Sequence, residues 1–234
     1  PTGHHSCRST GHRSCRHAMI AHRTRLISQM RAFCLEYGIA IHQGAGKFKA
    51  DMPRVLGDMD NELTPAMRRM LTEVFGELGD LEQRIAAMNR EIEAIAARSD
   101  TARRLMTVPG VGPLGATALL ASAGTGRQFR KARDLAAWLG LVPREYSTGG
   151  KTRLLGISKR GNKYLRRMII HGARSCVTHL DRSRDRLGPW LDGLERRMHK
   201  NKVTVALAAK IARILWVVLT KPGASYERRD PAFG

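Results

Sequence analysis

Acidic side chains are scarce in this chain. Twenty Asp and Glu stand against 41 Lys and Arg in 234 residues, giving a formal net charge of +21 and a pI near 11.1. Solubility requires far less, so a polyanion is the first partner to consider. Close-spaced cysteines are missing too: Cys7, Cys15, Cys34 and Cys176 contain no CxxC pair. That argues against a disulfide framework or a tetrahedral zinc knuckle and for free thiols in a reducing compartment. No recognisable secretory leader is present. The longest apolar run, 203–219, is interrupted by Lys210 and Arg213 and reads as too short for a membrane span. With 42% hydrophobic residues the chain is nevertheless rich enough in aliphatics to fold.

The charge is unevenly placed. Residues 1–57 hold nine Lys/Arg against two Asp/Glu, residues 58–100 hold five against ten, and residues 127–234 hold 25 against eight. A polyanion-binding surface is therefore expected in the last half. Residues 1–17, with His4, His5, Cys7, His12, Cys15 and His17 in an eight-residue near-duplication, read as a disordered or non-native leader. Apolar positions from Met19 to Cys34 keep helical spacing, with Gly38 placed to end the helix. Residues 39–63, punctuated by Gly44, Gly46, Pro53 and Gly57, read as a linker with at most a short helix.

Thr64 and Pro65 then mark a helix start. Met67, Leu71, Val74, Leu78, Leu81, Ile85, Met88, Ile92 and Ile95 alternate steps of four and three, a heptad seam that predicts an acidic coiled coil over 58–100. Self-association through that seam is the favoured expectation and an intramolecular helical hairpin the alternative. Gly76 and Gly79 weaken its centre and leave room for a break. The fold class expected is mainly α: this long coiled-coil region, then a compact helical domain over 101–222 and a mobile tail over 223–234.

Within 101–222, Leu105 to Ala121 reads as a helix-hairpin-helix around Val108-Pro-Gly-Val-Gly112. Gly110 and Gly112, lacking Cβ atoms, would leave backbone N–H groups free to face a phosphate. An ordinary tight turn in a core is the competing reading. Helices are also expected over 129–139, 161–180 and 203–220. Along 161–180, Leu165, Met168, Ile169, Gly172, Ala173 and Cys176 form an apolar stripe, with Lys163, Arg166, Arg167, His171 and Arg174 assigned to the other side. Between two of these helices, Ser147-Thr-Gly-Gly-Lys151 offers hydroxyls beside Gly149 and Gly150, with Lys151, Arg153, Lys159 and Arg160 placed to hold phosphate oxygens. Such a hydroxyl could attack a phosphodiester, although Ser-Thr-Gly-Gly is also a generic turn. Ser158 is a competing hydroxyl whose ordinary task would be to cap the next helix.

Four motifs in order carry a resemblance. Val-Pro-Gly-Val-Gly-Pro, Phe-Arg-Lys-Ala-Arg-Asp-Leu-Ala-Ala-Trp-Leu-Gly-Leu-Val-Pro-Arg, Ser-Thr-Gly-Gly-Lys and Gly-Ile-Ser-Lys-Arg-Gly-Asn-Lys-Tyr-Leu-Arg-Arg resemble the C-terminal domain of transposases of insertion-sequence family one-hundred-and-ten. They are most like its eleven-eleven subgroup, with the Piv invertases in the wider group. The likeness is close over residues 103–182 and looser from about residue 16, which would make 18–57 a remnant of the end of an N-terminal nuclease domain. The resemblance implies a DNA recombinase active in DNA transposition, bacterial, cytoplasmic and nucleoid-associated, whose partners are DNA and, in some members, a structured guide RNA. It carries the catalytic serine onto Ser147, with Thr148 second. The intact family member is expected to bind Mg²⁺ through four acidic residues of a RuvC-like domain, and those have no counterpart here, so no metal ligand is assigned. A truncated copy, inactive by itself in strand exchange, is the resulting expectation. A non-enzymatic DNA- or RNA-binding module is the alternative.

Overall fold

The computed structural model describes residues 3–228, with side chains from Ser14 onward. The chain is mainly α and divides into two compact units, one spanning Gly11–Glu91 and the other built essentially from Ile92 onward.

The first unit comprises most of α1 (Gly3–Glu36), α2 (Ala45–Gly57) and most of α3 (Pro65–Arg98). Helix α1 is continuous from Gly3 and so runs through much of the segment expected to be a leader. The side chains of His4, His5, Cys7 and His12 lie outside the described residues. Thr64 caps α3 as anticipated, its Oγ1 accepting the Met67 N–H at 3.2 Å with Pro65 in the first turn. The helix runs unbroken through Gly76 and Gly79.

Its seam has partners within the chain. Leu71, Leu78, Leu81 and Ile85 are buried in one cluster with Leu26, Ile27, Met30 and Cys34 of α1 and Phe48, Met52 and Val55 of α2. The periodicity therefore reports an intramolecular helical core, and the expectation that this face lies open for self-association does not follow. Segment 39–63, read as a linker, supplies a 13-residue core helix instead. Phe48, Met52 and Val55 sit at i, i+4 and i+7 on its inner face. Arg68 fastens its end, donating to the Leu56 carbonyl at 2.7 Å and to Asn61 Oδ1 at 2.8 Å. The acidity of α3 is partly answered inside the unit, since Glu82 pairs with Lys49 at 2.7 Å.

In the second unit, α4 (Asp100–Met106), α6 (Ala132–Trp138), α7 (Lys163–His179) and α8 (Leu187–Glu195) all pack against α9 (Lys200–Thr220), while α5 (Pro113–Ala123) packs on α4 and α7. Val203, Leu207, Ile211, Leu215 and Val218 give α9 its buried stripe. By length and composition this 21-residue helix could cross a bilayer, contrary to the expectation from 203–219, but half of it is buried among the surrounding helices. Helix α8 had no sequence expectation. Arg104 closes the end of α9, its guanidinium donating to the carbonyls of Val218, Lys221 and Ala224 at 2.9–3.2 Å.

The tail expected to be mobile is tied down as far as it is described. Tyr226 donates its hydroxyl to Asp185 at 2.6 Å, and its N–H reaches Thr107 Oγ1 at 2.7 Å. Residues 229–234 of that segment lie outside the described residues.

Candidate nucleic-acid interface

Between α6 and α7 the chain leaves the helical core as an antiparallel hairpin of β1 (Pro143–Glu145) and β2 (Leu154–Ile157). Charged and glycine-rich, this stretch carried no strand signal in the sequence. Its turn is the two-residue kind: Lys151 N–H donates to the Thr148 carbonyl at 3.1 Å, with Gly149 at φ 57° and Gly150 at φ 74°. Left-handed conformations at both central residues suit the type I′ turn, whose twist matches paired strands. Space around both glycines is open, so here glycine answers the turn.

Register decides which side chains share a face. Thr148 pairs with Lys151, Tyr146 N–H donates to the Arg153 carbonyl, and Glu145 pairs with Leu154. Because side chains alternate along a strand, Tyr146, Thr148, Lys151 and Arg153 occupy one face and Glu145, Ser147, Thr152 and Leu154 the other. Ser147 Oγ donates to Glu145 Oε1 at 2.6 Å, as neighbours two apart on one face can. Ser147 is exposed, as is the whole hairpin except its base. Tyr146 and Leu154 project into solvent, 66% and 63% exposed. Lys151 and Arg153 were expected beside the serine, whereas the register turns them to its opposite face.

The following motif is built differently. Gly140 and Gly161 have φ of 70° and 86°, and a Cβ at either would collide with backbone, the Arg160 carbonyl in one case and the Trp138 carbonyl in the other. Ser158 and Lys159 N–H groups donate to the carbonyls of Val142 and Gly140, sewing the end of α6 to the approach of α7. Asn162, not Ser158, caps α7: its Oδ1 accepts the Leu165 N–H at 3.1 Å. Lys159, Arg160, Lys163 and Arg167 are exposed along this junction and the first turns of α7. Arg166 is not among them. It is 8% exposed, and its Nη1 donates to the carbonyls of Leu139 and Arg160, both at 3.0 Å. Its charge compensates carbonyls at the junction, so the expectation that it faces a phosphate gives way to a structural role.

Gly110 likewise has a packing reason. In the turn between α4 and α5 it lies at φ 79° with its backbone against Gly172 of α7, where a Cβ on either would overlap the other's carbonyl. Val108 and Pro109 are buried beside it. Gly112 is exposed at the start of α5, with open space around it and no side-chain cap for the helix.

Among the described residues, no ion pair takes up Arg144, Lys151, Arg153, Lys159, Arg160 or Lys163. Elsewhere in the unit some cations are paired internally. Arg182 binds Asp192 and Glu195, and this contact holds the Glu195 carboxyl below the usual carboxylate range. Burial, reinforced by the Asp185 carboxylate, pushes the Cys176 thiol up to about 11. Among the described residues no group of three or more His, Cys, Asp or Glu is placed to hold a metal ion.

Sequence reasoning passed over Glu145. A signal for it existed: between Asp134 and Asp181 it is the single carboxylate among nine Lys and Arg.

Residues 102–187, which contain the hairpin and both glycine motifs, match the family model described as Transposase IS116/IS110/IS902 family. The chain is 40% identical over 206 residues to the transposase for insertion sequence element IS1111A of Coxiella burnetii, covering 88% of this chain and 57% of that protein. It is 41% identical over 208 residues to the transposase for insertion sequence element IS1328 of Yersinia enterocolitica, covering 88% and 61%. Over 207 residues it is 44% identical to a probable family 20 transposase of Pseudomonas aeruginosa, again covering 88% and 61%. The chain thus spans about 60% of the length of these curated relatives.

Proposed function

Because residues 102–187 make this chain a member of the IS116/IS110/IS902 transposase family, we propose that it binds DNA through the exposed cations of the hairpin and early α7, and that Ser147 is the nucleophile for strand exchange in DNA transposition. The observation that carries this reading is the hairpin itself: a solvent-exposed Ser147 hydroxyl one residue before a two-residue turn, within a surface where Arg144, Lys151, Arg153, Lys159, Arg160 and Lys163 enter no ion pair among the described residues. A phosphodiester needs countercharge before a hydroxyl can approach it, and Lys and Arg supply that. With Lys151 and Arg153 on the reverse of the hairpin, they hold phosphates flanking the reacting one. Attack by Ser147 would conserve the energy of the cut bond in a protein-DNA ester.

The face assignment also favours a second reading, in which the hairpin only grips backbone and a nucleic acid, DNA or a structured RNA, is bound without chemistry. One experiment separates them. A DNA strand with a bridging phosphorothiolate has a good leaving group that departs without metal assistance. Incubated with the chain, it should yield a denaturant-resistant adduct that persists in Ser158→Ala and disappears in Ser147→Ala. Binding without any adduct would establish the second reading, and an adduct surviving in Ser147→Ala would move the nucleophile elsewhere, Thr148 first.

A further inference from the structure

We infer that Glu145 is the general base that activates Ser147, an assignment that rests on the nucleophile proposed above. A serine hydroxyl is a weak nucleophile until a neighbouring group takes its proton, and the acceptor must lie within hydrogen-bond reach. Glu145 Oε1 accepts from Ser147 Oγ at 2.6 Å. The hairpin makes that contact reproducible: residues 145 and 147 lie two apart on one face, and the pairing of Glu145 with Leu154 fixes the register.

Charge placement singles out the same residue. A carboxylate on a surface that binds phosphates works against binding, yet this one stands alone among nine Lys and Arg between Asp134 and Asp181. No described ion pair engages it, and it is exposed, so neither packing nor a salt bridge accounts for it. Among the described residues its one polar side-chain contact is the serine hydroxyl.

In the step itself, the Ser147 Oγ–H proton passes to Glu145 Oε1 as the Oγ–P bond forms. The bond from phosphorus to the sugar oxygen breaks, its electron pair leaves with that oxygen, and the oxygen takes a proton from water. On reversal the protonated Glu145 returns its proton to Oγ as the ester is resolved, so one carboxyl serves both directions.

The test measures adduct formation on the phosphorothiolate strand together with DNA affinity for the full chain. Glu145→Gln should form adduct about 100-fold or more slowly, the range for loss of a general base, while binding DNA as tightly as the unsubstituted chain or tighter. Glu145→Ala should be slowed similarly and regain rate with added formate, but not with chloride at equal ionic strength. An adduct rate in Glu145→Gln within about threefold of the unsubstituted chain would overturn the assignment and leave Ser147 standing as nucleophile. Slowing of Glu145→Ala without formate rescue would overturn it too, by making Glu145 an orienting group. An adduct that survives Ser147→Ala would bring down the proposed nucleophile and this inference together.

Discussion

The hairpin of residues 143–157 and the junction of residues 158–163 are adjacent in sequence, each carries three Lys or Arg and each is marked by glycine, yet they are opposites in space. At the hairpin tip Gly149 and Gly150 look into open solvent, and Lys151 and Arg153 are exposed. At the junction Gly161 presses on the Trp138 carbonyl, and the neighbouring Arg166 is buried against two others. Glycine next to arginine can thus mean a surface built to meet a phosphate, or a seam in which backbone meets backbone and a guanidinium satisfies the leftover carbonyls. Only the first leaves its glycines open to a ligand, although the side chains of Lys159, Arg160 and Lys163 remain exposed beside the second.

Substitutions can break this contrast, and the largest effect belongs to the junction. Gly161→Val adds a side chain where φ is 86° and the Trp138 carbonyl blocks it, so it should cost more than about 4 kcal/mol or prevent folding of the second unit, read by chemical denaturation. Arg166→Met strands the Leu139 and Arg160 carbonyls and should cost about 2–3 kcal/mol, with DNA affinity of the folded fraction unchanged. A drop in affinity without a drop in stability would return Arg166 to the interface. At the tip, Gly150→Ala meets no neighbour and pays only for its positive φ, about 1 kcal/mol.

The smallest effect concerns pH. Arg182 lowers the Glu195 carboxyl, so the stability this pair contributes is present above the ordinary carboxylate range and is lost as pH falls through the lowered value. Glu195→Gln should therefore flatten part of the acid limb of a stability-versus-pH curve. An unchanged acid limb would show the pair to be without thermodynamic weight.

How much of this was legible in the sequence depended on the range of the contacts involved. The helix from Pro65, its Thr64 cap and its apolar seam were readable because they are local. What covers the seam was not, since periodicity reports that a face is buried and never by what. Helix α2 was hidden by Pro53 and by Gly44, Gly46 and Gly57, although Phe48, Met52 and Val55 kept helical spacing. The Ser-Thr-Gly-Gly pattern predicted a turn, and a two-residue turn centred on Gly149 and Gly150 is there. It could not reveal that alternation sends Lys151 and Arg153 to the reverse face, because the strands lack an apolar pattern. Gly110 and Arg166 were assigned by charge and flexibility, whereas their surroundings are made by Gly172 and Leu139, residues distant in sequence.

The central claim is that phosphates are held at the hairpin by Lys151 and Arg153, independently of the glycine-lined core, and the salt dependence of DNA affinity tests it most directly. Each phosphate contact contributes about −0.9 to the slope of log K against log salt on duplex DNA, so Lys151→Ala/Arg153→Ala should make that slope shallower by about 2 with folding stability unchanged. An identical slope in the double variant would contradict the account.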